Sequence, residues 1–391
     1  MKTLKTVLII ILLVSLSSPV EGSALVNRIH FKAVGDIMVH DVQYNSAYNY
    51  QTGQYDFTSM FQPVKEALQA DILVGNLETT LSGPELGYSS YPRFNCPDSI
   101  AETLRDCGFN LLFTANNHSL DKGVKGLRRT IDVLDQNNIL HTGTFKSPED
   151  REGLTIINAN GISFGFLNYT YGTNGLLPPQ GEEYVVNLLD VAQIEKDIKK
   201  IRNQVDLVVV GLHFGIEYQR EPHPQQRALA LRIAQGGADI ILGSHPHVLQ
   251  PYEFIQVGDR EVFVVYSLGN FVSGQKGRYK DSGAILELVI EKSPFVKGPK
   301  IMEVNFTPVW VRRYFAENRL RMEVIPYQNY HKLEGKLNNQ ELRILAQVNS
   351  DVQEVWSPLK RYNLPIELIK LSKNIYLPGL NINPWVPFFH H

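Results

Sequence analysis

The sequence predicts a layered α/β fold with mixed sheets, and three observations carry that prediction. Short continuous runs rich in Val, Ile and Leu alternate with amphipathic segments from Arg28 to about Glu291, the pattern of strands covered on both faces by helices. Within Thr155 to Tyr169, Asn160-Gly161 separates two apolar runs as a hairpin turn does, so at least one strand pair is antiparallel. After Glu291 the texture changes to SPFVKGPK, with two prolines and a glycine, which sets a boundary near Ser293.

Taken in chain order, the first 24 residues stand apart. Lys2 and Lys5 precede an apolar run from Val7 to Leu13, extended through Leu16, and the small residues Gly22, Ser23 and Ala24 follow. That is the layout of an export signal or an N-terminal anchor, although the run is shorter than the ~20 residues of a comfortable membrane span. No cysteine lies beside it, which argues against a lipoprotein anchor. The expected location is extracytoplasmic, either secreted or held at the cell surface.

Strands are expected at His30 to Gly35, Asp71 to Gly75, Asn110 to Thr114, Asp206 to Leu212, Asp239 to Gly243 and Val262 to Leu268. Helices are expected at Met60 to Ala70, Asp98 to Cys107, Val124 to Asn137, Asp190 to Arg202 and Pro224 to Gln235. The turn-rich segment Gly172 to Gly181 reads as a surface loop that could lie over a site. Residues 28–293 form the main domain, and 294–391 an α+β extension. The extension holds β-like stretches at Ile301 to Val311 and Leu320 to Pro326, a helix at Asn339 to Val355 and a proline-punctuated tail.

Composition narrows the function classes. The 391 residues are 43% hydrophobic and 20% charged, enough to bury a sizeable core. The 38 basic and 40 acidic residues give a formal charge of −2, which supplies no bulk attraction for nucleic acid or an anionic membrane. Nucleic acid is therefore not expected as a partner. The two cysteines, Cys96 and Cys107, bracket a predicted helix. Its ten residues would hold them roughly 15 Å apart, too far for a bridge, so two free thiols are expected.

Five of the six predicted strands end in residues that ligate metals or move protons. They are Gly35-Asp36, Gly75-Asn76 with Glu78, Asn117-His118, His213 with Glu217, and Ser244-His245-Pro246-His247. A single Asp or Asn after a strand is usually a cap or turn former, and a lone His is usually structural. Recurrence at equivalent strand ends is what favours one shared site. His245 and His247 fall on the same side if their segment is extended. Mixed imidazole, amide and carboxylate donors suit one or two Mn, Fe or Zn ions better than Ca or Mg.

Other roles at this edge are less determined. His118 has the chemistry to protonate a leaving oxygen, and Asp121 either orients it or begins the helix at Val124. Glu217 has three readings: a ligand, an acid/base group or a partner of His213. Arg93 is the nearest candidate substrate-binding cation, a guanidinium suited to an anion or to a surface salt bridge. Tyr169, Tyr171 and Asn174 are candidates to line the same cleft, with core packing the favoured alternative for the two tyrosines.

Six ordered motifs add a resemblance. VGDIM (Val34 to Met38), GNLET (Gly75 to Thr79), ANNHSLD (Ala115 to Asp121), LHFGIEY (Leu212 to Tyr218), GSHPH (Gly243 to His247) and YSLGNF (Tyr266 to Phe271) resemble the CapA family of bacterial capsule and poly-γ-glutamate synthesis proteins. The resemblance covers roughly residues 28 to 290. That family is similar to the calcineurin-like metallophosphoesterases, which implies a four-layer αββα sandwich with a dinuclear metal site.

Carried over residue by residue, it implies Asp36, Asn117, His213, His245 and His247 as metal ligands and His118 as the leaving-group acid. Two positions depart from the phosphoesterase pattern: Met38 stands where a histidine is expected, and Asn76 where the metal-bridging aspartate is expected. Glu78 is then the nearest carboxylate to supply the missing charge, and His40 the nearest imidazole.

The function implied is an exported protein of capsule or anionic surface-polymer assembly. Alternatives are a metal-dependent phosphoester hydrolase acting outside the cytoplasm, or a non-catalytic assembly module with a degenerate metal site. The implied partners are an anionic polymer or phosphoester substrate and a membrane-bound capsule-synthesis complex.

Overall fold

A computed structural model describes residues 26–328 and 335–356. The leader read from residues 1–24 and the tail beyond residue 356 lie outside them. Among the described residues, no helix is long and apolar enough to cross a membrane.

The chain opens with β1 (Asn27–Ile37), α1 (Asp41–Ala47), a small hairpin of β2 (Tyr48–Asn49) and β3 (Gln54–Tyr55), and a short α2 (Thr58–Phe61). Next come β4 (Ile72–Leu77), α3 (Ser99–Asp106), β5 (Leu111–Phe113), α4 (Gly123–Gln136), β6 (Leu140–Thr142) and α5 (Pro148–Glu152). The second half starts with β7 (Thr155–Ala159), β8 (Ile162–Thr170), α6 (Val191–Arg202), β9 (Leu207–His213), α7 (Pro224–Gly236) and β10 (Ile240–Ser244). It closes with β11 (Leu249–Val257), β12 (Arg260–Leu268), β13 (Asn270–Val272), β14 (Ser282–Lys292), β15 (Lys300–Ala316), β16 (Arg319–Pro326) and α8 (Asn339–Val355).

These strands form two large sheets, ordered β16-β15-β14-β1-β4-β5-β6 and β11-β12-β10-β9-β8-β7, with β13 paired to β1. Both are mixed, as the hairpin signal requires: β1, β4, β5 and β6 run parallel, while β14, β15 and β16 are antiparallel to their neighbours. Asn160 and Gly161 both take positive φ in the turn between antiparallel β7 and β8, the primed turn that such a dipeptide favours.

The sheets pack face to face. Phe31 of β1 stacks on Phe164 and Phe166 of β8 at 5.8 and 6.4 Å between centroids, and a continuous apolar core from both sheets surrounds them. The outer face of the first sheet is covered by α2 and α3, the outer face of the second by α6 and α7. The order is therefore helix, sheet, sheet, helix: the αββα sandwich expected from the motifs.

Three local expectations change or sharpen. The helix expected at Met60 to Ala70 is cut to α2, and turns follow it; Pro63 has no N–H to continue the ladder and crowds the preceding turn. The boundary expected near Ser293 falls in the turn of the β14–β15 hairpin, so the strands after it complete the first sheet. Helix α8 likewise joins the inter-sheet core, where Trp356 is 1% exposed and its Nε1–H donates to the Gln250 carbonyl at 2.7 Å. Cys96 and Cys107 are buried and unbridged at the two ends of α3.

Candidate metal centre

The two sheets end their central strands at one edge. In the first sheet Asp36 lies in register with Asn76 of β4 and Asn270 of β13; in the second, His213 lies in register with Ser244 of β10 and Thr170 of β8. Two glycines let these ends approach. A Cβ on Gly35 would run into the Gly269 carbonyl, and one on Gly243 into that of Tyr266, which gives the Gly-Asp and Gly-Ser motifs a steric reason.

At that edge Asp36, Glu78, Asn117, His118, Asp121, His213, His245 and His247 are all buried. Two groups bring donor atoms within 4.8 Å of one another: Asp36, Glu78 and His213 in one, Glu78, His245 and His247 in the other. Glu78 belongs to both. Its Oε1 lies 3.7 Å from His213 Nε2 and 3.7 Å from His247 Nε2.

Hydrogen bonds fix the rings. His247 Nδ1–H faces two acceptors, Asp36 Oδ2 at 3.0 Å and Asn270 Oδ1 at 3.1 Å, leaving Nε2 toward Glu78. His213 Nε2 lies 2.9 Å from Asn117 Oδ1, and its Nδ1 lies 3.0 Å from the Ser244 hydroxyl, which can accept an Nδ1–H and leave Nε2 free to ligate. Asn76 Nδ2 donates to Asp36 Oδ1 at 2.8 Å. The position that departs from the phosphoesterase pattern thus holds the first aspartate in place rather than supplying a charge.

His245 and His247 converge by a route different from the one expected. Both have positive φ, 99° and 57°, so the segment is a strained turn rather than an extended strand. Non-glycine residues in this region cost energy and gather at functional sites. Their rings end 5.9 Å apart.

The charge balance follows from burial. Burial pushes the Glu78 carboxyl well above its ordinary range, and the charges of Asp36 and Glu217 push it further. Burial also holds His213 and His245 well below the usual imidazole value, each aided by neighbouring histidines. For His247 burial acts in the same direction, but the hydrogen bond and charge of Asp36 win and raise it.

The donor set fits a divalent cation. Buried polar atoms are nearly always paired, yet Asn76 Oδ1, Glu78 Oε1 and His245 Nδ1, three of the ten exceptions among the described residues, have no hydrogen-bond partner. All three belong to residues of this one cluster. A cation would satisfy the carboxylate and imidazole atoms and lower the cost of two adjacent buried carboxylates.

His118 and Asp121 form a separate pair beside the cluster. Asp121 Oδ2 accepts from His118 Nδ1–H at 2.8 Å and from the Phe94 amide at 2.6 Å, while the Phe94 ring meets the His118 ring edge-on at 4.7 Å. Asp121 therefore orients His118. The helix starts at Gly123 with no side-chain cap.

The remaining candidates divide. Glu217 is exposed at the rim, where its charge reaches Glu78, His247 and Tyr171 without joining the ligand groups. Arg93 is exposed, and no described contact ties its guanidinium to the cluster. Tyr171 stacks parallel to His213 and lies 4.6 Å from His245, and Asn174 accepts from Asn117 at 3.2 Å, so the 172–181 loop does reach the site. Tyr169 is instead core, with its hydroxyl donating to Asp197. His40 accepts the Gly274 amide on Nδ1 at 3.0 Å and stands across Phe94 from His118, outside both ligand groups.

Asn270 and Ser244 were not among the predicted ligands, yet both set ring orientations. The signal for Asn270 was present: it follows the sixth predicted strand, the one end of six to which no ligand was assigned.

The fold and site define a class: a two-sheet sandwich with a buried carboxylate–imidazole centre at the strand ends. The family described as bacterial capsule synthesis protein PGA_cap matches residues 30–275, and the chain belongs to that family. The capsule biosynthesis protein CapA of Bacillus anthracis is 30% identical over 258 residues, covering 63% of this chain and 62% of that protein. The PGA biosynthesis protein CapA of Bacillus subtilis (strain 168) is 30% identical over 275 residues, covering 66% and 67%. The chain thus spans about two thirds of the length of these relatives. Among solved structures, a phosphatase from Mycoplasma pneumoniae shares 14% identity at a TM-score of 0.44, covering 73% of this chain and 95% of that one. Likeness at that level has no bearing on activity.

Proposed function

We propose that this member of the capsule synthesis family works outside the cytoplasm in the assembly of an anionic surface polymer of the poly-γ-glutamate kind, and that its site is a metal-dependent phosphoester hydrolase centre. One observation carries the proposal. Glu78 places an unpaired buried oxygen in both ligand groups at once, so a single carboxylate can serve two metal positions although Asn76 replaces the expected aspartate.

Asp36, Glu78, Asn117, His213, His245 and His247 would hold the metal, Mn, Fe or Zn by their donor chemistry. When bound, such an ion supplies Lewis-acid stabilisation of charge on a phosphoryl group. The chain's own residues do the rest. Asn270 and Asp36 lock His247 so that one nitrogen faces Glu78, Asn76 steadies Asp36, and Tyr171 covers His213 and His245. Asp121 accepts the Nδ1–H of His118; the proton given to a leaving oxygen is the second one, carried on Nε2 by the imidazolium, and its transfer leaves neutral His118 with Nδ1–H still on Asp121.

The test is metal content of the purified full chain by elemental analysis, with a generic phosphodiester assay after loading with Mn or Zn. At least one ion per chain and metal-dependent turnover are expected. Less than about one ion per chain, with no turnover, would leave the assembly-module reading in its place.

A further inference from the structure

The end of the molecule opposite the metal centre carries an exposed apolar tip. The β14–β15 turn presents Pro294, Phe295, Val296, Lys297 and Gly298 to solvent, with Phe295 83% and Val296 48% exposed. Other single side chains are as exposed, Leu177 at 81% and Phe315 at 79%; what sets this tip apart is that Phe295 and Val296 are adjacent and stand beside lysines. Lys297 and Lys300 flank it. Asp259 and Glu261 share a hollow of about 610 Å³ with those lysines, but Pro294, Phe295 and Val296 lie outside it. An apolar wedge beside lysines is the composition that enters the headgroup layer of a bilayer.

The start of the first strand lies at the same end: Asn27 of β1 pairs with Lys292, the last residue of β14. The chain preceding Asn27 holds the Val7 to Leu13 apolar run, and the 13 residues between Leu13 and Asn27 can reach at most about 45 Å. A leader seated in a bilayer would therefore tether the molecule by the end that bears the tip.

We infer that the 293–299 hairpin tip docks on a phospholipid bilayer, with Phe295 and Val296 in the interface and Lys297 and Lys300 at its headgroups. The bulk charge gives no such attraction; the contact is local. Asp36 lies nine residues along β1 from Asn27, so the metal centre stands roughly 30 Å above the membrane and faces away from it. The inference shares the extracytoplasmic location of the proposed function but does not depend on metal or turnover, so either can fail alone.

The test uses the full chain in vesicles of phosphatidylcholine and phosphatidylglycerol, labelled with an environment-sensitive fluorophore at Phe295→Cys or at Phe315→Cys. Phe315 is 79% exposed at the far end of β15, and both native cysteines are buried. Expected are a blue shift and several-fold stronger quenching by doxyl lipids at 295 than at 315, with the difference reduced by Lys297→Glu plus Lys300→Glu. No shift at 295, or equal responses at both sites, would overturn the inference.

Discussion

Replacing Glu78 by Gln keeps the shape of the side chain and removes its charge, and the two consequences should run in opposite directions. Glu78 Oε1 lies 3.7 Å from both His213 Nε2 and His247 Nε2. One unit-charge interaction at about 4 Å is worth about 4 kcal/mol at an effective dielectric of 20, roughly a thousandfold in a binding constant. Metal affinity should fall by that order or more, since the ion is divalent.

The metal-free protein should behave differently. The folded-state pKa of Glu78 is raised, by burial first and by Asp36 next, so this group's contribution to stability is present below its unfolded value and is lost as pH rises toward the folded one. Gln carries no such term. The metal-free variant should therefore unfold at an equal or higher midpoint, most visibly above neutral pH. Titration calorimetry with Mn or Zn and urea unfolding in chelator would read both effects. Unchanged metal affinity, or a metal-free variant less stable than the parent, would refute the central role given to this carboxylate.

Three further predictions concern the surrounding residues. His118→Ala should lower turnover by about 10²–10⁴ and leave metal content intact in elemental analysis; loss of metal would make His118 a ligand. Asn270→Ala removes one of the two acceptors that orient His247, and metal affinity should fall by about 10- to 100-fold in the same calorimetric titration. His40 is held down from 6.5 to about 4, chiefly by burial and next by His247, and protonating Nδ1 would sacrifice its bond from the Gly274 amide. Its stabilising contribution is full above pH 6.5 and is lost as pH falls toward 4. Urea midpoints should show about 2–3 kcal/mol of acid destabilisation that His40→Gln lacks, and parallel pH profiles would contradict this.

Much of this architecture was legible because buried strands announce themselves as unbroken apolar runs. The Ile240 to Leu242 and Val262 to Val265 runs each became central strands for that reason. The site was legible because chemistry collects at strand ends, and Asp36, Glu78, Asn117, His213, His245 and His247 do meet. What escaped depends on geometry that composition does not encode. The left-handed backbone of His245 and His247 gives their convergence a cause no spacing rule contains. Pro63 interrupts the helix expected at Met60 to Ala70, and the SPFVKGPK segment, read as a domain boundary, is the turn of a hairpin whose flanks pair.

The position of β1 has a practical corollary. It sits between β4 on one side and β14 on the other, and residues Asn27 to Ala33 pair along β14. The family match ends at residue 275, before β14 begins. A fragment trimmed to that match would turn the strand that delivers Asp36 into a bare sheet edge, with unpaired N–H and C=O groups beside a stripped apolar face. Such an edge invites another copy to pair with it. Cut there, the chain is expected to form β-rich aggregates, whereas a fragment ending after Trp356 keeps that edge sealed by its own hairpins.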